Sequence, residues 1–206
     1  MIRPVAYLVL AFLAGSLPFG LWIARLARGV DVRAQGSGNI GATNVLRVAG
    51  TGWGILALAL DVAKGWVAVA LLPAALGLAG VGEGGRWPVA GAVVATGGHI
   101  FSPWIGFRGG KGVATFIGAA LALSPAAAGI AVAGFLIAVA AWRYVSLGSL
   151  VMTMLFPLAV LLVTRTSLRA PIAIAGAALA ILIAWRHQAN WARLARGEES
   201  KLGRRP

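Results

Sequence analysis

The feature that most constrains this chain is the alternation of long apolar runs with short segments rich in Gly, Pro and Arg. The runs fall at about 4–24, 52–73, 88–105, 112–142, 146–163 and 170–185. A helix crossing a bilayer needs about 20 apolar residues, and hydrocarbon tolerates only backbones whose polar groups are satisfied internally. The pattern therefore predicts an all-α, polytopic membrane protein. Composition agrees: 60% of the 206 residues are hydrophobic, 11% are charged and the mean hydropathy is +0.88, more apolar than an aqueous core of this size requires. About seven spans would use roughly 140 residues and leave too few for a soluble domain, so residues 1–206 read as a single integral-membrane domain. The first run is too long for a signal peptide, and Arg3 is its only upstream charge, so it reads as a retained first helix.

The run at 112–142 carries the topology argument. As one helix its roughly 31 positions would extend about 46 Å, against a hydrocarbon core of about 30 Å, and Ser124-Pro125 offers a break in its middle. Two short spans fit better. The resulting topology has about seven transmembrane helices, N-terminus outside and C-terminus inside. It puts Arg25, Arg28, Arg33, Arg47, Arg108, Lys111, Arg143, Arg186, Arg193, Arg196, Lys201, Arg204 and Arg205 on the cytoplasmic side. Outside it leaves only Arg3, Arg86, Arg165 and Arg169, as the positive-inside tendency asks. The stretch from Gly112 to Ser124 is only about 20 Å long as helix, so the loop before it is expected to dip into the membrane.

Several classes of chemistry fall away on supply. The chain has no Cys, which removes disulfides and thiolate nucleophiles together. Two histidines and five acidic residues make a poor metal site, so neither metal nor cofactor is expected. A net charge of +13 in so apolar a chain reads as topology and attraction to membrane lipid, not to nucleic acid. Asp61 and Lys64, at i,i+3 within the second span, read as an ion pair that lowers the cost of charge in hydrocarbon.

Three polar constellations remain. The first loop, DVRAQGSGNIGATNVLR from Asp31 to Arg47, combines glycines with Ser37, Asn39, Thr43, Asn44 and Arg47. Free backbone amides, hydroxyls and a guanidinium make an anion site. Its GSGNIG matches a dinucleotide-binding pattern, but the strand that pattern needs is here a membrane span, so a dinucleotide fold is rejected. The second, GGHIFSPWIGFRGGKGVAT from Gly97 to Thr115, offers Gly109, Gly110 and Gly112 for close backbone approach, Lys111 as a cation and a helix N-terminus. It is not a Walker loop, since Ile105 stands where the first Gly should be and Gly112 where Ser or Thr would hold magnesium. The third, RHQANWARLARGEESKLGRR from Arg186 to Arg205, sets His187 and Asn190 on one helical face.

These residues carry a family resemblance. SGNIGATNVLR, GGHIFSPWIGFRGGKGVAT and RHQANWARLARGE, in this order and spacing, resemble the three motifs of the bacterial PlsY family of acyl-phosphate:glycerol-3-phosphate acyltransferases. GSLPFG at Gly15–Gly20, the DVAKG segment of the second span and RYVSLGSL at Arg143–Leu150 extend the likeness over essentially the whole chain. A basic residue that is more often Lys in the family is Arg108 here. The resemblance implies seven spans and cytoplasmic active-site loops, at about 31–47, 97–115 and 186–199, in the bacterial inner membrane. It implies transfer of a fatty acyl group from acyl phosphate to glycerol 3-phosphate, giving lysophosphatidic acid. The catalytic set so implied is Ser37, His99, Lys111, His187 and Asn190. The phosphate-binding set is Ser37, Asn39, Gly41, Thr43, Asn44, Arg47, Arg108, Gly109, Gly110, Lys111, Gly112, Thr115 and Glu198.

Physical reasoning supports an acyl-phosphate donor. The His-x4-Asp dyad of thioester-dependent acyltransferases is missing, since Trp104 follows His99 and Ala192 follows His187 at the required spacing. A mixed anhydride has a good leaving group, so positioning and charge stabilisation can supply most of the acceleration. The competing reading is a transporter of phosphorylated metabolites, which predicts paired polar breaks near mid-bilayer; the breaks here crowd towards one face.

Overall fold

The structure, a computed structural model, describes residues 2–80, 85–165 and 168–203; Arg204 and Arg205 of the basic tail lie outside the described residues. Among them every regular element is helical. Two compact units are formed, Met1–Leu123 and Ser124–Pro206.

The first unit begins with α1 (Ile2–Ser16) and α2 (Phe19–Arg28). The sequence reads this stretch as one helix, and the structure breaks it at Leu17-Pro18. Proline has no N–H to continue the ladder and disfavours helical geometry in the residue before it. A short 3₁₀ turn (Val32–Ala34) and α3 (Ala42–Ala49) follow, so the second half of the first polar loop is helical and Thr43, Asn44 and Arg47 sit on a helix. Next come α4 (Thr51–Ala70), the single turn α5 (Leu72–Ala75), α6 (Trp87–Ile100), a 3₁₀ turn (Pro103–Ile105) and α7 (Val113–Leu123).

Close helix approach explains much of the glycine content. Water-free packing gains from small interfacial residues that let backbones touch. A Cβ on Gly15 would strike the Ala95 carbonyl of α6, and one on Gly65 or Gly118 would strike backbone across the α4–α7 contact. The Tyr7 hydroxyl, wholly buried, donates to the Ala68 carbonyl at 3.0 Å and ties α1 to α4.

The second unit contains α8 (Pro125–Trp142), α9 (Val145–Val163), α10 (Arg169–Arg186) and the short α11 (Gln188–Ala195). The expected break between α7 and α8 is present: Ser124 is extended and Pro125 opens α8 at a position where its missing N–H costs nothing. Gly148 packs against Phe135 and Val139 of α8, and Gly176 against Phe156 of α9.

Ile2–Arg28, Thr51–Ala70, Pro125–Trp142, Val145–Val163 and Arg169–Arg186 are long and apolar enough to cross a membrane. Their outer faces carry exposed Val5, Ile55, Leu158, Leu162, Ile174 and Ile181, more apolar surface than a water-facing protein leaves open. The fold is that of a multi-pass membrane protein.

Candidate active site

In the first unit, the loop after α2 is built around two fixed groups. Asp31 caps the 3₁₀ turn by accepting the Arg33 amide at 2.9 Å, and its carboxylate pairs with Arg33 at 2.6 Å and Arg25 at 2.9 Å. Hydrogen bonds from the Arg33 side chain and amide, joined by Arg25, hold the Asp31 carboxyl well below the usual carboxylate range. Arg25 of α2 and Arg33 of the loop thus share one counter-ion. Asn44, buried on α3, donates to the Val32, Gln35 and Asn39 carbonyls at 2.9–3.0 Å and accepts the Ser37 amide at 2.9 Å. Gly36, in the left-handed region at φ 58°, passes so close to the Asn44 carboxamide oxygen that a Cβ would collide with it. Asn44, expected to line the phosphate site, spends its carboxamide on holding the loop instead.

What the frame presents outward is a short list. Ser37 and Arg47 are exposed and Thr43 is half-buried, and among the described residues none of their side chains has a hydrogen-bond or ion-pair partner. Asn39 uses its carboxamide oxygen to accept the Gly41 amide at 2.9 Å, shaping the entry to α3. A guanidinium and hydroxyls of this kind are groups able to bind an anion.

The second constellation folds back on itself. After α6 the Ser102 hydroxyl donates to the Ser16 carbonyl at 2.6 Å and the Trp104 indole N–H to the Ser16 hydroxyl at 2.8 Å. The chain turns through Gly106 and Phe107, both at positive φ. Gly109 then donates its amide to the Ile100 carbonyl at 3.0 Å, and Gly110 its amide to the His99 carbonyl at 3.2 Å. This corrects one expectation. The amides of Gly109 and Gly110 are spent capping the last carbonyls of α6, and the close approach that these glycines allow is to their own chain. A Cβ on Gly109 would meet the His99 and Ile100 carbonyls, and one on Gly110 the His99 imidazole.

Arg108 is exposed and Lys111 half-buried at the tip of this turn, while Gly112 and Thr115 are buried. Thr115 is buried, its backbone packed against Gly65 of α4. His99, buried at the end of α6, has its Nδ1 2.9 Å from Lys64 Nζ. Lys64 in turn lies 2.7 Å from Asp61 Oδ1 and donates to the Leu17 carbonyl at 2.7 Å. The expected Asp61–Lys64 pair therefore forms, and it reaches a histidine 35 residues further on that no local spacing connects with it.

In the second unit, His187 bridges α10 and α11 and is almost wholly buried, with Nδ1 2.8 Å from the Ile183 carbonyl. Asn190, also buried, donates to Glu199 Oε1 at 2.6 Å; the Ser146 hydroxyl donates to the same oxygen at 2.8 Å, and Arg193 Nε to Oε2 at 2.7 Å. Burial raises the Glu199 carboxyl, but these hydrogen bonds outweigh it and hold the group below its ordinary value. Glu198, the residue expected at the phosphate site, is exposed and paired with Arg196 at 2.7 Å. The reason is the αL turn at Gly197 closing α11, where the Glu198 amide returns to the Arg193 carbonyl and swings Glu199 inward. Sequence reasoning missed Glu199 and Ser146, although RYVSLGSL and the GEE turn marked both neighbourhoods.

The fold defines a class: a multi-pass helical membrane protein, with Ser37 and Arg47 exposed in its first polar segment. A family model described as glycerol-3-phosphate acyltransferase matches residues 5–197. A glycerol-3-phosphate acyltransferase of Anaeromyxobacter dehalogenans (strain 2CP-C) is 48% identical over 191 residues, 93% of each chain. One from Synechococcus elongatus is 39% identical over 207 residues, 100% of this chain and 97% of its own. Crystal structures of PlsY, an integral membrane glycerol 3-phosphate acyltransferase, superpose with TM-scores of 0.88 for the glycerol 3-phosphate form and 0.86 for the lysophosphatidic acid form. Sequence identities are 33% and 32%, over 97% of this chain and 96% and 95% of theirs. The chain belongs to the glycerol-3-phosphate acyltransferase family, as its three motifs indicate.

Proposed function

We propose that this chain transfers a fatty acyl group from acyl phosphate to glycerol 3-phosphate, releasing phosphate and lysophosphatidic acid for phospholipid synthesis. The observation that carries the reading is the division of labour among the arginines of the first loop. Asp31 is the shared counter-ion of Arg25 and Arg33, whereas Arg47 stands exposed on α3, one turn after Thr43. A planar fork left for a ligand binds phosphate through two parallel hydrogen bonds.

In this scheme Arg47 holds one substrate phosphate, with Ser37 and Thr43 beside it, while Lys111 and Arg108 hold the other or the developing oxyanion. Asn39, Gly41, Asn44, Gly109, Gly110 and Gly112 act one step back, shaping the backbone that carries these groups. His99, His187 and Asn190 orient the glycerol hydroxyl. That hydroxyl attacks the acyl carbon, the C–O bond to phosphate breaks, and the leaving phosphate takes the hydroxyl proton. No protein general base is required, because the leaving group is already good. The chain works as one acyltransferase domain over residues 1–206, with about seven spans, N-terminus outside, C-terminus inside, and motif loops facing the cytoplasm of a bacterial inner membrane.

The test is purified protein in detergent with acyl phosphate and labelled glycerol 3-phosphate, assayed for lysophosphatidic acid. Turnover with acyl phosphate and none with a long-chain acyl thioester is the expected result. No product with acyl donors of any length would return transport of phosphorylated metabolites to first place. Arg47→Lys should keep the fold and raise KM for one phosphorylated substrate about tenfold or more, since a point charge replaces a fork; unchanged kinetics would remove Arg47 from the site. For the proton, kcat is followed against pH in His99→Gln and His187→Gln. A fall of about 10³ or more with loss of an acid limb near the ordinary imidazole range would make that histidine the base and end the substrate-assisted scheme.

A further inference from the structure

The Lys64 ammonium meets two hydrogen-bond acceptors and one ion-pair partner. The Leu17 carbonyl lies at 2.7 Å and His99 Nδ1 at 2.9 Å, with Asp61 Oδ1 in ion-pair contact at 2.7 Å. An ammonium has no lone pair, so towards Leu17 and His99 Lys64 is the donor. His99 Nδ1 must then accept, which puts the hydrogen of the neutral imidazole on Nε2. A direct carboxylate–histidine dyad would fix the opposite tautomer, but Asp61 Oδ1 is 3.7 Å from Nδ1, beyond hydrogen-bond reach.

The surroundings are shaped for this arrangement. The break at Pro18 turns the Leu17 carbonyl towards Lys64, because Leu21 sends its amide to the Pro18 carbonyl instead. The Phe19 ring, one residue on, lies 5.6 Å from the ammonium and adds a cation–π contact. Three segments thus converge on one cation: the α1–α2 break, α4 and the end of α6. On the far side of the imidazole, Nε2 faces the Cα of Gly110, where a Cβ would collide with it. The hydrogen set by Lys64 is therefore aimed at the Gly109–Lys111 turn.

We propose that Lys64, held by Asp61, is a positioning residue that fixes His99 as an Nε2–H donor towards this turn. The inference rests on the reading of His99 as a substrate-orienting group. Its chemical consequence is specific. With Nδ1 engaged by Lys64 and the hydrogen on Nε2, His99 acts towards the Gly109–Lys111 turn as a hydrogen-bond donor, and its one lone pair is already spent on Lys64.

The experiment needs no variant for its first arm. The chain has two histidines, and their contacts predict opposite tautomers, since His187 Nδ1 faces a carbonyl oxygen and must donate. Nitrogen-15 labelled protein in detergent, at a pH of about 8.5, above the ordinary imidazole range, should give one Nε2–H and one Nδ1–H spectrum. His99→Ala assigns them by removing the first. An Nδ1–H spectrum for His99, or a rapid mixture of both tautomers, would overturn the proposal.

The second arm is a double-mutant cycle between His99→Ala and the paired change Asp61→Leu/Lys64→Met, which removes both charges together. The pair change alone should lower kcat about tenfold or more with KM altered less than about threefold, and should lower the kcat of His99→Ala less than about twofold. Equal, additive losses would assign the pair a merely structural role and overturn the inference while the proposed function stands. Full turnover in His99→Ala itself would instead remove His99 from the proposed reaction, and this inference with it.

Discussion

Among the described residues two carboxylates are largely covered, Asp61 and Glu199, by different means. Asp61 sits on a long helix, in ion-pair contact with one lysine three residues away on the same helix. Glu199 sits in irregular chain after α11 and gathers three donors, from Ser146 of α9 and from Asn190 and Arg193 of α11. The first arrangement is a charge pair sealed inside helix packing, where removing one partner strands the other. The second is a hydrogen-bonded knot in which one acceptor fastens a terminal segment, and loss of one bond leaves the rest. The lesson is that the cost of a buried charge depends on how many independent groups share it.

The sharpest way to break the comparison is Asp61→Asn, which leaves the Lys64 ammonium without its counter-ion. Loss of one member of a buried pair costs about 3–5 kcal/mol, so this variant should unfold at markedly lower temperature or denaturant in the same detergent. Removing both charges with Asp61→Leu/Lys64→Met should recover most of that stability without recovering turnover. If the single variant is as stable as wild type, the pair is not sealed as described.

Glu199→Gln comes next. It keeps an acceptor oxygen for Asn190 or Ser146 but loses the charge-assisted bond to Arg193, a change on the order of 1–3 kcal/mol. It should be read as faster proteolysis or hydrogen exchange in residues 196–203, with the long helices unaffected. Uniform loss across the second unit would show the two carboxylates to be alike after all.

A smaller effect follows from pH. The Glu199 carboxyl is held below its unfolded value, so its contribution is fully present above about pH 4.5, the ordinary glutamate range, and is lost as pH falls through the lower folded value. Protection of the tail should therefore weaken in wild type as pH drops below about 4.5, and in Glu199→Gln this part of the pH dependence should be absent. The same acid-linked loss in both proteins would assign it to another group. Smallest of all is Glu198→Gln, which breaks an exposed pair with Arg196 and should change stability by less than about 1 kcal/mol; a loss matching that of Glu199→Gln would mean the two glutamates have been assigned the wrong roles.

What the sequence determined by itself is what hydropathy and local chemistry decide. The apolar runs had to be helices, because hydrocarbon leaves the backbone no other partner. The break at Ser124-Pro125 was legible because proline acts on its own peptide and the one before it. The three motifs could be found because their spacing lies within the chain, and Arg47 could be singled out because a guanidinium among glycines and hydroxyls has few other uses. The kink at Leu17-Pro18 has the same local cause, but it lies inside an otherwise continuous apolar run that masks it.

How these pieces engage is set by long-range packing. Lys64 meets His99 across 35 residues and Leu17 across 47, and Ser146 meets Glu199 across 53. No periodicity within a helix encodes which face of α4 will meet which end of α6. The same holds for the amides of Gly109 and Gly110, which composition marked as free for phosphate and folding gave to the last carbonyls of α6. Hydrogen bonds are short and directional, so their partners are chosen only when packing has brought the helices to within a few ångströms.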